Sequence, residues 1–383
     1  MKEVYIISES IISALGNGID VNMRKIEKLE SGIKASLIEG VDSGKLPIGA
    51  IDWDALQNEF KKHKLGDNYS RFEKLMILSV IQALENTNVK ANDEKVVFVI
   101  STTKGNIELL DNSIAKKYKK SKLELWDSAN KIAKYFGNKN DVITISNACV
   151  SGVMAVADAT DILRTEDYEH AIVVGGDIIS KFVVSGFRSF QSLSSKACKP
   201  YDKSRDGLNI GEAASCIILS TKFKNNIQVL ESASHNDANH ISGPSRTAEG
   251  MFYAVSDALK HSHIKANQID SISAHGTATA YNDEMEAIGF SRLELESTHV
   301  HSLKGFWGHT LGAAGIIETA ALVWSMRQNK TLPTLGFEEM GVSIPLNINT
   351  EIRNKNIKYS LKIASGFSGI NSAIVLKKGG GEK

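Results

Sequence analysis

The stretch "VITISNACVSGVMAV" (142–156) sets an apolar strand against a helical-looking run of small residues, with Cys149 at the junction. Branched residues at 142–145 suit a strand, and the segment from about Ser151 suits a helix. A thiol placed just before a helix feels the macrodipole and the unpaired N–H groups of the first turn. Both are expected to favour the thiolate. Ala148 and Gly152 leave room for a close approach. From this stretch alone, Cys149 reads either as a nucleophile or as a small apolar side chain in a packed junction.

The same grammar extends outward. "EVYIIS" and "KVVFVIST" (95–102) read as strands, and "SRFEKLMILSVIQALEN" (70–86) and "LELWDSANKIAKYFG" (123–137) as helices. "VITIS", the helix from Ser151 and "AIVVGGD" (171–177) form a β-α-β unit. Continuous Val/Ile runs, rather than alternating ones, imply strands covered on both faces. From about Asn225 the pattern repeats. "IQVLESAS", "DSISAHG" (270–276), "HVHSLKG" (299–305), "YSLKIASGF" and "NSAIVLKK" are strands. "TAEGMFYAVSDALKHS" (247–262), "NDEMEAIGFSRLE" and "GAAGIIETAALVWSMRQN" are helices. The expected division is 1–224 and 225–383, with a tail from about 379 expected to fray. Only five prolines occur, so no Pro-rich linker separates the halves, and they should pack tightly.

The chain has 383 residues, 42% of them hydrophobic, which is ample for a large core. A net charge of +1 implies no bulk attraction to nucleic acid or membrane. Three cysteines, Cys149, Cys198 and Cys216, have neither disulfide nor metal-ligand spacing, which suits a reducing compartment. The start reads as a strand rather than a secretory leader, and no apolar run reaches membrane-spanning length. The expected location is cytoplasmic.

Three further segments carry candidate chemistry. In "SISAHGTATAYND" (271–283), His275 follows a strand, at the sheet edge where open α/β folds bind ligands. Thr277 and Thr279 offer hydroxyls to an amide-bearing substrate. In "HSLKGFWGHTLGAAG" (301–315), His309 is expected just after a strand, with Lys304 five residues earlier and Glu318 placed to pair with that lysine. In "ASGFSGIN" (364–371), a glycine-interrupted turn could bring a backbone N–H to a site. Taken singly, these are equally a satisfied core histidine, a structural ion pair and a hairpin. Together, one cysteine and two scattered histidines form the pattern for covalent acyl transfer.

Motifs across most of the chain resemble those of the β-ketoacyl synthases of the thiolase superfamily. "SNACVSG" is similar to the family's nucleophile segment, and "PYDKSRDGLNIGEAA" (200–214) to P-[FW]-D-x-x-R-D-G-F-x-x-G-E-G-A. "NDANHISGP" (236–244), "SAHGTATAYNDEME", "SLKGFWGHTLGAAG" and "SGFSGINSAIVL" follow in the family's order. The resemblance implies an α/β thiolase-like fold, five-layer αβαβα with two pseudo-symmetric halves. It implies a Cys-His-His site in which Cys149 is acylated from acyl carrier protein. His275 and His309 would then bind malonyl thioester, assist loss of CO₂ and stabilise the enolate. Lys304, paired with Glu318, would polarise the site. The N–H groups of Cys149 and Phe367 would form an oxyanion hole, with Phe367 also a gate. Thr277 and Thr279 would hold the phosphopantetheine arm, and Phe187 would line the acyl pocket. No cofactor beyond that arm is implied. A homodimer, or a heterodimer with a ketosynthase-like chain, is expected.

Within the superfamily, degradative thiolases carry a second cysteine near the C-terminus, which "ASGFSGIN" lacks, and initiating synthases use Cys-His-Asn. The elongating, decarboxylating branch fits best, in fatty-acid, polyene or polyketide assembly. Alternatives are a non-elongating partner subunit resembling a chain-length factor, and a thiolase-like acyl-CoA transferase. Ser368 and Ala278 stand where the family has glycine, and Ile370 where it has threonine, so altered or stiffer gating is expected. Phe306 and Trp307 precede His309 and could reshape a channel. "KKHK" (61–64) and "KKYKKSK" (116–122) are candidate docking patches for an acidic carrier, or simply solvated helix faces.

Overall fold

The structure, a computed structural model, describes residues 2–38, 40–41, 44–111, 119–237, 239–240 and 243–379. Residues 116–118 of the second lysine patch and 380–383 of the expected frayed tail lie outside the described residues.

The strands are β1 (Val4–Ser13), β2 (Gly16–Asn17), β3 (Lys34–Ser36), β4 (Leu46–Ile48), β5 (Val96–Ser101), β6 (Ile143–Ile145) and β7 (His170–Asp177). They continue as β8 (Ala213–Ser220), β9 (Ile227–Asn236), β10 (Ser271–Ser273), β11 (His299–His301), β12 (Tyr359–Ser365) and β13 (Ile370–Lys378). The helices are α1 (Ile19–Glu27), α2 (Gln57–Lys62), α3 (Arg71–Leu84), α4 (Leu125–Tyr135), α5 (Ser151–Thr165) and α6 (Lys181–Ser189). After them come α7 (Glu249–His261), α8 (Ala280–Arg292), α9 (Lys304–Trp307) and α10 (Ala314–Gln328). Most follow from local chemistry. Ser70 and Glu73 close a capping box at the start of α3, and Gly137 with φ 72° stops the chain after α4. Residues of β5, β7 and β8 are buried throughout, as their unbroken apolar runs require.

One half-sheet runs β6-β5-β7-β8-β1 and the other β11-β10-β12-β13-β9. Both have the same directions: the three outer strands are parallel and the two inner ones antiparallel. The halves join where β1 pairs β9 at Val4↔Val229 and Tyr5↔Gln228, so the hydrogen-bonded ladder is continuous. Helices α5 and α10 pack against strands of both half-sheets and against each other. Helix α3 covers the outer face of the first half-sheet and α7 that of the second. The resulting order, helix, sheet, helix, sheet, helix, is the expected five-layer αβαβα architecture with two pseudo-symmetric halves.

Helix α10 is apolar and buried nearly all round, because both of its faces meet a sheet, whereas α5 keeps a partly exposed polar strip at Asp158, Asp161 and Thr165. They cross backbone to backbone. A Cβ on Gly315 would lie 2.2 Å from Val153 N, and one on Gly152 would lie 2.8 Å from Ile316 N. The carboxylate of Asp177, at the end of β7, ties this crossing to the first sheet. It accepts from Gly312 N at 2.7 Å, Thr102 Oγ1 at 2.8 Å, Thr103 N at 2.9 Å and Lys104 N at 3.0 Å.

Two expectations need correction. "HVHSLKG" is a strand only over His299–His301, and Lys304–Trp307 turns as helix α9. His309 therefore does not directly follow a strand. It is reached through Gly308 with φ 78° and fixed by His309 N to Asn209 O at 2.7 Å.

Gly315→Ala is expected to cost about 1–3 kcal/mol or more, since backbone must move to admit the methyl. Gly186→Ala on α6, where nothing lies within 4 Å, should be neutral or stabilising. Parallel urea melts of the two variants check this, and equal effects would refute the crossing as a constraint.

Candidate active site

Cys149 sits between β6 and α5 in a turn whose residue Ala148 holds φ 45°, unusual for a side chain with a Cβ. Ser151 braces the turn, accepting from Asn147 N at 2.7 Å and donating to Ala148 O at 2.6 Å. His275 follows β10, with the Glu286 carboxylate accepting the N–H groups of His275 and Gly276 at 2.7 Å each. His309 Nε2 lies 2.9 Å from Cys149 Sγ. The two imidazoles meet edge to face, centroids 5.3 Å apart. All three side chains are buried at the end of a cavity of about 300 Å³.

That cavity is also lined by Thr277 and Thr279, whose hydroxyls are 2.9 Å apart, and by Phe187, Phe190 and Phe367. The Phe187 ring packs against Phe367 at 5.7 Å and faces His309 edge-on at 6.4 Å. Phe190, 53% exposed, closes on Phe367 from outside at 5.2 Å. A Cβ on Gly366 would be 3.3 Å from Cys149 N, so the turn carrying Phe367 touches the backbone of Cys149. Sequence reasoning thus named residues that converge, and missed Phe190, which no motif flagged.

Beneath the histidines, Lys304 Nζ donates to Glu318 Oε1 at 2.6 Å and to His275 O at 2.5 Å. The other carboxylate oxygen of Glu318 accepts from Lys362 Nζ at 2.6 Å. Lys362 was missed. Its only sequence signal is a lysine inside the otherwise apolar strand "YSLKIAS".

The electrostatics correct one expectation. Burial pushes the Cys149 thiol up to about 12, and the opposing pull of Lys304 and Lys104 is smaller. The resting group is a thiol, not the thiolate that the helix start suggested. Burial, followed by the Lys304 charge, holds both His275 and His309 well below the ordinary imidazole range, so both are neutral. Neither Nδ1 has a hydrogen-bond partner among the described residues. A proton on Nε2 leaves Nδ1 as a bare acceptor, a cheaper orphan than a buried N–H. Both imidazoles thus present N–H donors to the cavity. The ligand-capable atoms of Cys149, His275 and His309 lie within 4.8 Å of one another, but the lysines beneath favour an anion there over a cation.

The two glycine-position departures keep a left-handed backbone: Ala278 has φ 63° and Ser368 φ 74°. Of the docking candidates, Lys61 and Lys62 are exposed, whereas Lys122 is drawn to Glu73 at 3.4 Å and Asn68 O at 2.9 Å. No helix among the described residues is long and apolar enough to cross a membrane.

The sequence profile of the β-ketoacyl synthase N-terminal domain matches residues 2–225, and that of the C-terminal domain matches 227–338. The chain belongs to the β-ketoacyl synthase family. It is 28% identical to a putative mitochondrial 3-oxoacyl-[acyl-carrier-protein] synthase of Schizosaccharomyces pombe, over 99% of both chains. It is 26% identical to the tetracenomycin polyketide synthase ketoacyl synthase alpha subunit of Streptomyces glaucescens, over 86% of both. A solved ketosynthase in complex with its chain length factor, from Xenorhabdus doucetiae, superposes with a TM-score of 0.88. That match is 24% identical over 99% of this chain and 98% of the other, and it establishes the thiolase-like fold. β-Ketoacyl synthases are condensing acyltransferases, and this site has the thiol and donors that such a reaction uses.

Iodoacetamide labelling of Cys149, counted against Cys149→Ala, should rise about tenfold per pH unit from roughly pH 7 to 10 without levelling. A plateau near pH 8 would show that the helix start, not burial, governs the thiol.

Proposed function

We propose that this synthase catalyses the decarboxylative condensation of a malonyl thioester with an acyl chain carried on Cys149, both delivered by acyl carrier protein. The observation that carries the reading is a buried thiol 2.9 Å from one neutral imidazole, a second imidazole edge-on to the first, and a lysine beneath them. A hydrolase would need a base positioned for water. A thiolase-like transferase would need a second thiol, and Cys198 and Cys216 do not line this cavity.

In the first half-reaction the Cys149 sulfur attacks the acyl thioester. The proton of the thiol goes to the departing carrier sulfur, and acyl-Cys149 and free carrier thiol result. His309 Nε2–H stabilises sulfur as its charge develops, and the N–H groups of Cys149 and Phe367 take the carbonyl oxyanion. In the second, the Nε2–H groups of His275 and His309 bind the malonyl thioester carbonyl. The C–C bond to the carboxylate breaks, CO₂ leaves, and the electron pair becomes an enolate. The enolate carbon attacks the acyl carbon, the Cys149 thiolate is expelled, and it takes one proton from solvent to restore the thiol. Each donor aimed at a developing oxyanion is worth about 3–4 kcal/mol when removed singly. Lys304, held by Glu318, stabilises the same negative charge from below. Thr277 and Thr279 bind the amide-bearing pantetheine arm, and Phe187 with Phe367 screens the acyl end. No cofactor is needed beyond that arm.

Acyl carrier protein and a second ketosynthase-like chain are the proposed partners. Solved relatives include an acyl carrier protein bound to its ketosynthase and ketosynthases paired with chain length factors. Cys149 with both histidines favours the catalytic member of such a pair over a non-elongating subunit.

Intact-mass analysis with acyl-carrier and malonyl-carrier thioesters should show an acyl adduct on wild type and none on Cys149→Ala, then a two-carbon-longer β-keto product. His275→Ala should retain the adduct and lose condensation by about 10²-fold or more. Failure of every acyl donor to label wild type would overturn the catalytic reading. Ser368→Gly is expected to change stability by less than about 1 kcal/mol, because relief of its left-handed strain offsets added chain freedom. It should broaden the range of acyl donors that label Cys149, and an unchanged range would show that Ser368 does not stiffen the gate.

A further inference from the structure

Lys362 lies on β12 between Ser273 of β10 and Ile374 of β13 and is fully buried. A buried ammonium is costly unless it is paired and hydrogen-bonded. Its Nζ donates to Glu318 Oε2 at 2.6 Å and Ile363 O at 2.7 Å, with longer contacts to Ser273 O at 3.3 Å and Ala274 O at 3.4 Å. Lys304 holds the next carbonyl, that of His275. Two ammoniums thus secure three successive carbonyls of the segment that carries an active-site imidazole. They also share one carboxylate, so with both protonated the lysines outnumber Glu318, and Glu286 is the next nearest carboxylate.

We propose that Lys362 is a positioning residue for the condensation: through Glu318 and the carbonyls of Ser273 and Ala274 it fixes His275, and its charge adds to that of Lys304 beneath the histidine pair. The proposal rests on the condensing reading of the site. The groups facing the imidazoles are Cys149, Lys304 and Lys362, with Glu318 between the lysines and Glu286 on the His275 and Gly276 N–H groups. Lys304 alone would balance Glu318. The second lysine adds a repulsion that imidazolium would feel and a developing enolate would gain from. Lys362 is among the charges that lower both histidines, after burial and Lys304. Burial also lowers Lys362 itself, against the pull of Glu318, so its protonation is the point on which the proposal turns.

The first measurement is nitrogen-15 NMR of the lysine Nζ in wild type at neutral pH, with Lys362 assigned through its contact to Glu318. A charged ammonium is expected, and a neutral amine would overturn the proposal even if no variant folds. The second is Lys362→Met. In wild type neither His275 nor His309 should titrate between about pH 5 and 8 by NMR, and in the variant their midpoints should move upward, because one positive charge is removed while burial and Lys304 remain. Malonyl-carrier decarboxylation should fall about tenfold or more, while acylation of Cys149 stays within about twofold. Unchanged histidine titration and unchanged decarboxylation, with only a lower melting temperature, would make Lys362 a structural lysine. If wild type decarboxylates no malonyl thioester, the condensing reading fails by itself. The histidine titrations of unliganded protein then still decide whether the Lys362 charge acts on them.

Discussion

Everything at the site depends on two helices touching where neither has a side chain. Gly152 and Gly315 bring α5 and α10 into backbone contact in the central layer. Cys149 lies just before one partner of this crossing, and Glu318 one turn beyond the other. The crossing therefore sets the distance between the nucleophile and the charged cluster. Gly312, at the same place, hangs on Asp177, which also gathers the chain leaving β5. The first half-sheet and the loop that follows His309 thus share one anchor. A fold assembled from two like halves needs such a joint, because β1 and β9 pair over only two residues each.

Within that frame, burial decides the charge states. A helix N-terminus favours an anion by at most about 2 kcal/mol in partly buried geometry. Complete burial shifts a titratable group by up to about 3–5 pH units, or roughly 4–7 kcal/mol. Cys149 is only 7% exposed, so desolvation outweighs the dipole and the thiol keeps its proton. The same burial keeps both imidazoles neutral, and the lysines push in the same direction. A neutral thiol beside neutral N–H donors is stable at rest.

Strands and helices with strong periodicity were legible in the sequence, as were the motifs around Cys149, His275 and His309. Helices α1 and α6 and strand β8 had no advance reading, although both helices are amphipathic and β8 is a mainly apolar run, and β11 ends at His301, before the chain turns through α9 to Gly308. The pairing of Lys304 with Glu318 was legible because the carboxylate stands one helix turn past the glycine segment that follows the lysine. Lys362 was not, since a lone lysine in a strand signals an edge or a surface until tertiary structure supplies its carboxylate. The thiol's state was misjudged for a related reason: local sequence shows the helix start, while the layers that bury it come from distant segments.

The departures from the family pattern show how far tertiary structure overrides local preference. Ala278 and Ser368 replace glycine yet keep positive φ, a conformation that costs a residue with a Cβ about 1–2 kcal/mol. Neighbours hold both. Ala278 O accepts from Gly207 N at 3.1 Å, and Ser368 O from Asn236 Nδ2 at 3.1 Å. The loops beside His275 and Cys149 therefore keep their path, with side chains added where glycine leaves space. At Ala278 the added methyl is fully buried beneath the threonine pair. At Ser368 the side chain is exposed next to Phe367. A strained turn held from outside has fewer alternative conformations than a glycine turn, so the backbone beside His275 and Cys149 keeps its path with less freedom to leave it.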